Sequence, residues 1–146
     1  MTITAWTMAL TLWLIAALHV YWGFGGLWPA VDAGALARTV VGARGVQRMP
    51  SLTACATVAA VLIGVGTWPL LVVGVLPPVW PCWLLVATGM AIAGVFLARG
   101  CAAYWPVWRR RVPEEPFATL DRSLYGPLCL ALGLASLTLL WKGSTS

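Results

Sequence analysis

Charged residues make up only 9% of this 146-residue chain, whereas soluble domains contain about 25%. This scarcity, together with 61% apolar residues, excludes an ordinary soluble domain. Histidine occurs once, and the four cysteines show no CxxC spacing, which argues against a metal cluster or a redox pair. HExxH, P-loop, GxSxG and dinucleotide-binding motifs are also missing. We therefore predict neither a metal site nor a cofactor.

The most prominent feature of the sequence is a set of long apolar runs. Four runs, at about 3–24, 50–72, 79–98 and 124–141, each have close to the ~20 residues that a helix needs to cross a hydrocarbon core. They predict an all-α polytopic membrane protein, a four-transmembrane-helix bundle that forms a single domain over residues 1–146. Small residues spaced four apart predict close helix contacts: Ala56, Ala60 and Gly64, then Gly89 and Ala93, then Ala131 and Ala135.

The basic residues predict the orientation. Eight of the nine fall within 25–49 or 99–123, the two loops that a four-span chain places on one side. The positive-inside rule then puts both loops in the cytoplasm and both termini outside. Basic residues that flank membrane spans fit lipid headgroups better than nucleic acid, so we expect membrane lipid as a partner and no nucleic acid. Nine of the ten tryptophans, Trp68 among them, fall near the two predicted membrane boundaries, where indole rings are favoured.

Two short polar clusters are candidates for chemistry. His19, the single histidine, lies within the first span, and a histidine inside a membrane span is a functional candidate by default. The simpler alternative is a histidine that hydrogen-bonds a neighbouring helix. Asp121 opens the second cluster, with Tyr125 and Cys129 following at intervals of four on one helical face. For Asp121 the simpler alternative is an N-cap on the fourth helix.

The predicted topology brings these clusters to one membrane level. His19 ends the first span on the side where Asp121 begins the fourth, and Arg99 ends the third there too. We therefore predict a polar pocket just beneath the cytoplasmic interface, with Asp121, His19 and Tyr125 as catalytic candidates. Substrate-binding candidates are Tyr21, Trp22, Phe24, Arg99 and Cys129. Asp121 would either pair with Arg99 or Arg122 or, if desolvated without a partner, stay protonated and able to donate a proton.

The motifs Leu18-His19-Val20-Tyr21-Trp22 and 117–129 (FATLDRSLYGPLC) resemble those of a family of small four-helix bacterial membrane proteins, common in actinobacteria and of unknown function. The resemblance implies the fold and a bacterial inner membrane location, but no activity. Two positions depart from the family pattern: Gly126 stands where serine is expected, and the segment after Arg99 lacks an acidic residue.

Two functions compete at this point. An acidic group above an aromatic-walled pocket could start cyclisation of a prenyl or isoprenoid-like substrate, a chemistry similar to that of small membrane-bound terpene cyclases. Asp121 would donate the proton in such an enzyme. The alternative is a non-catalytic accessory or lipid-binding membrane protein, in which His19 and Asp121 join helices. Homo-oligomers are compatible with either.

Overall fold

The computed structural model describes residues 1–77 and 79–143, so Pro78 and residues 144–146 of the predicted single domain lie outside it. Every regular element in the described part is helical. The elements are α1 (Thr2–Gly23), α2 (Ala33–Val40), α3 (Leu52–Val72), α4 (Cys82–Ala102), α5 (Pro106–Arg111), α6 (Phe117–Leu120), a π-helical segment (Asp121–Tyr125) and α7 (Gly126–Gly143).

Within residues 1–77 and 79–143, four helices are long and apolar enough to cross a membrane: Thr2–Gly23, Leu52–Val72, Cys82–Ala102 and Phe117–Trp141. The predicted fold, an all-α protein with four membrane-spanning helices, is therefore confirmed. Helices of this kind place much of the chain in contact with lipid. The two short helices α2 and α5, which the sequence reasoning did not predict, lie in the loops between the spans.

The fourth span begins at Phe117, seven residues before the predicted start at 124. The difference arises at Pro127, whose ring would clash with a preceding carbonyl in a regular α-helix. The π-helical segment widens the helix just before this proline, and the Gly126 N–H donates to the Asp121 carbonyl five residues back. A π-turn of this kind lets the helix continue through a proline that otherwise ends or kinks it.

The spans pack as two pairs, α1 against α3 and α4 against α7, with fewer contacts between the pairs. Trp68 of α3 joins them: it is 1% exposed, and its indole N–H donates to the Leu85 carbonyl at 2.9 Å. Gly89 of α4 makes room for this ring, because a Cβ there would lie 2.2 Å from it. Trp68, which the sequence assigns to a membrane boundary, is therefore buried between helices rather than exposed to lipid headgroups.

The small residues of α3 do not mediate the contact predicted for them. Ala56, Ala60 and Gly64 are exposed, and nothing lies within 4 Å of a Cβ placed on Gly64. The buried face of α3 instead carries Cys55, Ala59 and Gly66. Both faces are apolar, so composition alone does not say which one packs against protein and which against lipid.

The two long loops contact each other at one end of the bundle. The Gly45 N–H donates to the Glu114 carboxylate at 2.9 Å, and the Glu114 N–H donates to the Gly42 carbonyl at 3.3 Å. Gly42 has φ of +67°, a conformation that glycine adopts without strain, and it lies against the ring of Phe117. Arg44 of the first loop thus lines the same surface as Arg109, Arg110 and Arg122 of the second.

Candidate functional site

Among the described residues, Asp121 is the one buried charged residue, with 2% of the residue exposed. Its Oδ1 pairs with Nη2 of Arg99 at 2.5 Å, and its Oδ2 accepts a hydrogen bond from the Trp108 indole N–H at 2.9 Å. The Arg99 guanidinium also lies over the Trp108 ring, 5.0 Å from its centroid. Three elements, α4, α5 and the π-helical segment, are thus tied together by one carboxylate.

This geometry decides between the roles that the sequence left open for Asp121. The N-cap role is wrong, because the helix begins at Phe117 and Asp121 lies one turn inside it. Of the two predicted partners, Arg99 forms the ion pair, whereas Arg122 is exposed and donates from Nε to the Ala118 carbonyl.

Both oxygens of the Asp121 carboxyl group are occupied by donors. The other guanidinium nitrogen of Arg99, Nη1, is buried and has no hydrogen-bond partner among the described residues. A buried pair of this kind is costly to break, because either partner left alone is an uncompensated charge.

His19 interacts within its own helix. Its Nδ1 lies 2.8 Å from the Ile15 carbonyl one turn back, so Nδ1 carries the proton and donates it. The imidazole also meets the ring of Trp22 edge-on, with 5.3 Å between centroids. In the part of the chain that the structure describes, no hydrogen bond, ion pair or ring contact joins His19 to Asp121.

Tyr125 and Cys129 follow Asp121 along the last span, as predicted from their spacing, but they contact other groups. The half-buried Tyr125 donates its hydroxyl to the Thr39 carbonyl of α2 at 3.2 Å, and its ring packs on Phe117 with 5.6 Å between centroids. Cys129 is a half-buried free thiol. Across the described residues, no three His, Cys, Asp or Glu side chains come together as metal ligands.

The aromatic residues at the end of α1 are partly exposed and contact the loop that follows this helix. Phe24 is 78% exposed and Tyr21 47% exposed, with the Tyr21 ring lying against Gly26. Trp22 donates its indole N–H to the Trp28 carbonyl at 2.8 Å, which fixes the loop that follows α1. The contacts of Tyr21 and Trp22 described here are thus with the loop that follows α1.

Two open clefts lie on opposite sides of the short helix α5. The arginine cleft, of about 460 Å³, is lined by Arg44, Pro106, Arg109, Arg110, Pro113, Glu115, Ala118 and Arg122. The tryptophan cleft, of about 470 Å³, is lined by Ala98, Cys101, Ala102, Trp105, Val107, Trp108 and Arg111. Neither cleft is lined by Asp121, His19 or Tyr125.

A family model described as "Protein of unknown function (DUF3995)" matches residues 12–136, most of the chain. The chain belongs to this family. The range shared with DUF3995 includes both motifs that carried the resemblance, and also Arg99 and Trp108. No curated protein and no solved structure matches the chain.

Sequence reasoning missed Trp108 and the two clefts around α5. The signal that could have found them is the spacing of Trp105, Trp108 and Arg111 at intervals of three. Pro106, directly after Trp105, is typical of a helix start. A short helix with aromatic residues on one side and arginines on the other is typical of the membrane interface.

Proposed function

We propose that this DUF3995 protein is a non-catalytic, lipid-binding membrane protein whose arginine cleft holds the headgroups of anionic lipids. The observation that carries the proposal is the unbalanced charge of the cleft. Four arginines and one glutamate line it, a net charge of +3. Anionic headgroups are attracted to basic clusters next to membrane spans.

The charges in the cleft are available to a ligand. Glu115, its one acid, accepts hydrogen bonds from the N–H and the hydroxyl of Thr119, at 3.2 and 3.1 Å. Within residues 1–77 and 79–143, Arg99 and Asp121 form the one ion pair, so the cleft arginines have no carboxylate partner there. Arg44, Arg109, Arg110 and Arg122 are all exposed.

The orientation predicted from charge agrees with this function. By the positive-inside rule the arginine cleft faces the cytoplasm and both termini lie outside. In a bacterial plasma membrane the cleft would then meet the headgroups of the inner leaflet. Because lipid is the ligand, the proposal requires neither nucleic acid nor a cofactor, and it holds for a monomer or a homo-oligomer.

Acid-initiated cyclisation of a prenyl substrate stays a prediction. The geometry favours lipid binding over it, because Asp121 is ion-paired, 2% exposed and outside both clefts. Incubation of membranes with an epoxidised farnesyl-aryl compound tests it directly. A cyclic product that forms with the wild type and not with Asp121→Asn would restore the catalytic role.

The lipid proposal is tested with two matched double variants in detergent. Arg109→Gln/Arg110→Gln removes two charges from the cleft, and Arg38→Gln/Arg48→Gln removes two from the first cytoplasmic loop, outside the cleft. At about 1 kcal/mol for each arginine near the surface, the cleft variant should bind phosphatidylglycerol about 30-fold more weakly.

Native mass spectrometry of the protein titrated with phosphatidylglycerol or phosphatidylcholine gives the two affinities. We expect the wild type to prefer phosphatidylglycerol and the control variant to retain most of that preference. Equal losses in the two double variants would show a diffuse field rather than a site. Equal binding of both lipids by the wild type would refute the proposal.

A further inference from the structure

The tryptophan cleft differs from the arginine cleft in chemistry. Its walls are the apolar end of α4 and the aromatic side of α5, and Arg111 is the one charged residue that lines it. Its volume of about 470 Å³ lies within the range of small-molecule sites, about 300–1,000 Å³. A cleft with apolar walls and one cation is complementary to an amphiphile that has one anionic group.

One wall of this cleft is held rigidly by the buried ion pair. Trp108 donates its N–H to Asp121 and lies under the guanidinium of Arg99, so its ring is fixed from the inside. A wall already fixed before binding costs the ligand less ordering entropy than a mobile one. The Asp121 cluster thus acts as a positioning device for the cleft.

The cation at the cleft is free to bind an anion. Arg111 is exposed, and no ion pair involves it in the described part of the chain. Its backbone carbonyl accepts the Arg44 N–H at 3.4 Å, which holds this end of α5 against the first loop. Arg111 is the last residue of α5, directly after Arg109 and Arg110, which line the arginine cleft on the opposite side of that helix.

We infer that the tryptophan cleft binds one acidic phospholipid of the surrounding bilayer, with an acyl chain against Trp105 and Trp108 and its phosphate on Arg111. This inference deepens the proposed lipid-binding function, on which it rests, and assigns a second, stoichiometric site. The arginine cleft collects headgroups by charge alone, whereas this cleft also selects a hydrocarbon chain.

Cys101 is a native thiol in the tryptophan cleft, so lipid binding there can be probed without introducing a cysteine. It is exposed and lines the cleft, whereas Cys82 is exposed at the other end of α4 and provides an internal control. The rate at which a maleimide modifies each thiol is measured by peptide mass spectrometry, in detergent with added phosphatidylglycerol or phosphatidylcholine of the same acyl chains. Phosphatidylglycerol should slow modification of Cys101 and leave that of Cys82 unchanged.

Two variants separate the contribution of the Arg111 charge from that of the apolar wall that contacts the acyl chain. Arg111→Gln should raise the phosphatidylglycerol concentration that protects Cys101 about fivefold. Trp105→Ala removes an exposed apolar wall and should weaken protection by either lipid. Circular dichroism verifies that both variants are folded.

Failure of the tryptophan-cleft inference can be distinguished from failure of the arginine-cleft proposal. Arg109→Gln/Arg110→Gln should leave protection of Cys101 intact, even though it weakens overall binding of anionic lipid. Equal protection of Cys101 and Cys82 would overturn the inference, because it would show general shielding by lipid. Protection that does not change in Arg111→Gln would overturn it as well.

Discussion

Removing the buried carboxylate with Asp121→Leu should destabilise the protein strongly. The change leaves the Arg99 guanidinium without its counter-ion and the Trp108 indole without an acceptor. Breaking one partner of a buried pair costs about 3–5 kcal/mol. The Arg99 side chain is 30% exposed and regains some hydration, so we expect the lower end, about 3 kcal/mol.

The matched double variant Arg99→Met/Asp121→Leu replaces the pair by apolar groups and should recover much of this loss. The Trp108 N–H stays unpaired in it, which leaves a residual cost of about 1–3 kcal/mol. Adding Trp108→Phe removes that donor too. Unfolding of the detergent-solubilised proteins by increasing denaturant, followed by far-UV circular dichroism, gives the free energies.

Arg122→Gln, an exposed arginine next to Asp121, is the control and should change stability by no more than about 0.5 kcal/mol. The reasoning is refuted if Asp121→Leu is as stable as the wild type. It is also refuted if the loss of stability in the double variant equals the sum of the losses in Asp121→Leu and Arg99→Met, because the two side chains would then be energetically independent.

Two further predictions concern glycines, each with a control in the same element or loop. Gly89→Ala places a Cβ 2.2 Å from Trp68 and should cost about 1–3 kcal/mol, whereas Gly94→Ala, on open space in the same helix, should be neutral or stabilising. Gly42→Ala and Gly45→Ala both carry the backbone cost of positive φ, about 1–2 kcal/mol. Gly42→Ala should lose more stability than Gly45→Ala, because its added Cβ would lie 2.3 Å from a ring carbon of Phe117. Thermal unfolding in detergent measures the stability of all four variants. Equal losses of stability in Gly89→Ala and Gly94→Ala, or in Gly42→Ala and Gly45→Ala, would contradict the packing described.

The spans and the grouping of arginines could be predicted from the sequence because the bilayer imposes both. A hydrocarbon core demands about 20 apolar residues, and translocation of arginine is costly, so both signals survive without knowledge of the tertiary structure. Because the spans are apolar on all sides, their sequences do not show which face packs against the other helices. The exposed Gly64 and the buried Gly66 differ by two positions on one apolar helix, and only the contacts of α3 with α1 distinguish them.

The candidate site was predictable in part. Arg99 and Asp121 could be brought together by topology, since each ends a span on the same side. Topology alone does not bring Trp108 to them, because Trp108 belongs to a six-residue helix in the loop between the third and fourth spans. His19 was assigned to the same pocket from its depth alone, and depth does not fix the direction in which a side chain leaves its helix.

The ionisation state of Asp121 tests most directly whether this residue forms a structural ion pair with Arg99, which needs a carboxylate, or serves as an acid catalyst, which needs a protonated carboxyl. The chain has two aspartates, Asp32 and Asp121. In an Asp32→Asn protein grown on side-chain ¹³C-labelled aspartate, Asp121 is the one labelled carboxyl. Infrared spectra at neutral pH should show the ¹³C-shifted carboxylate stretches and no ¹³C-shifted acid C=O band. An acid band from this residue would contradict the account and favour the proton donor.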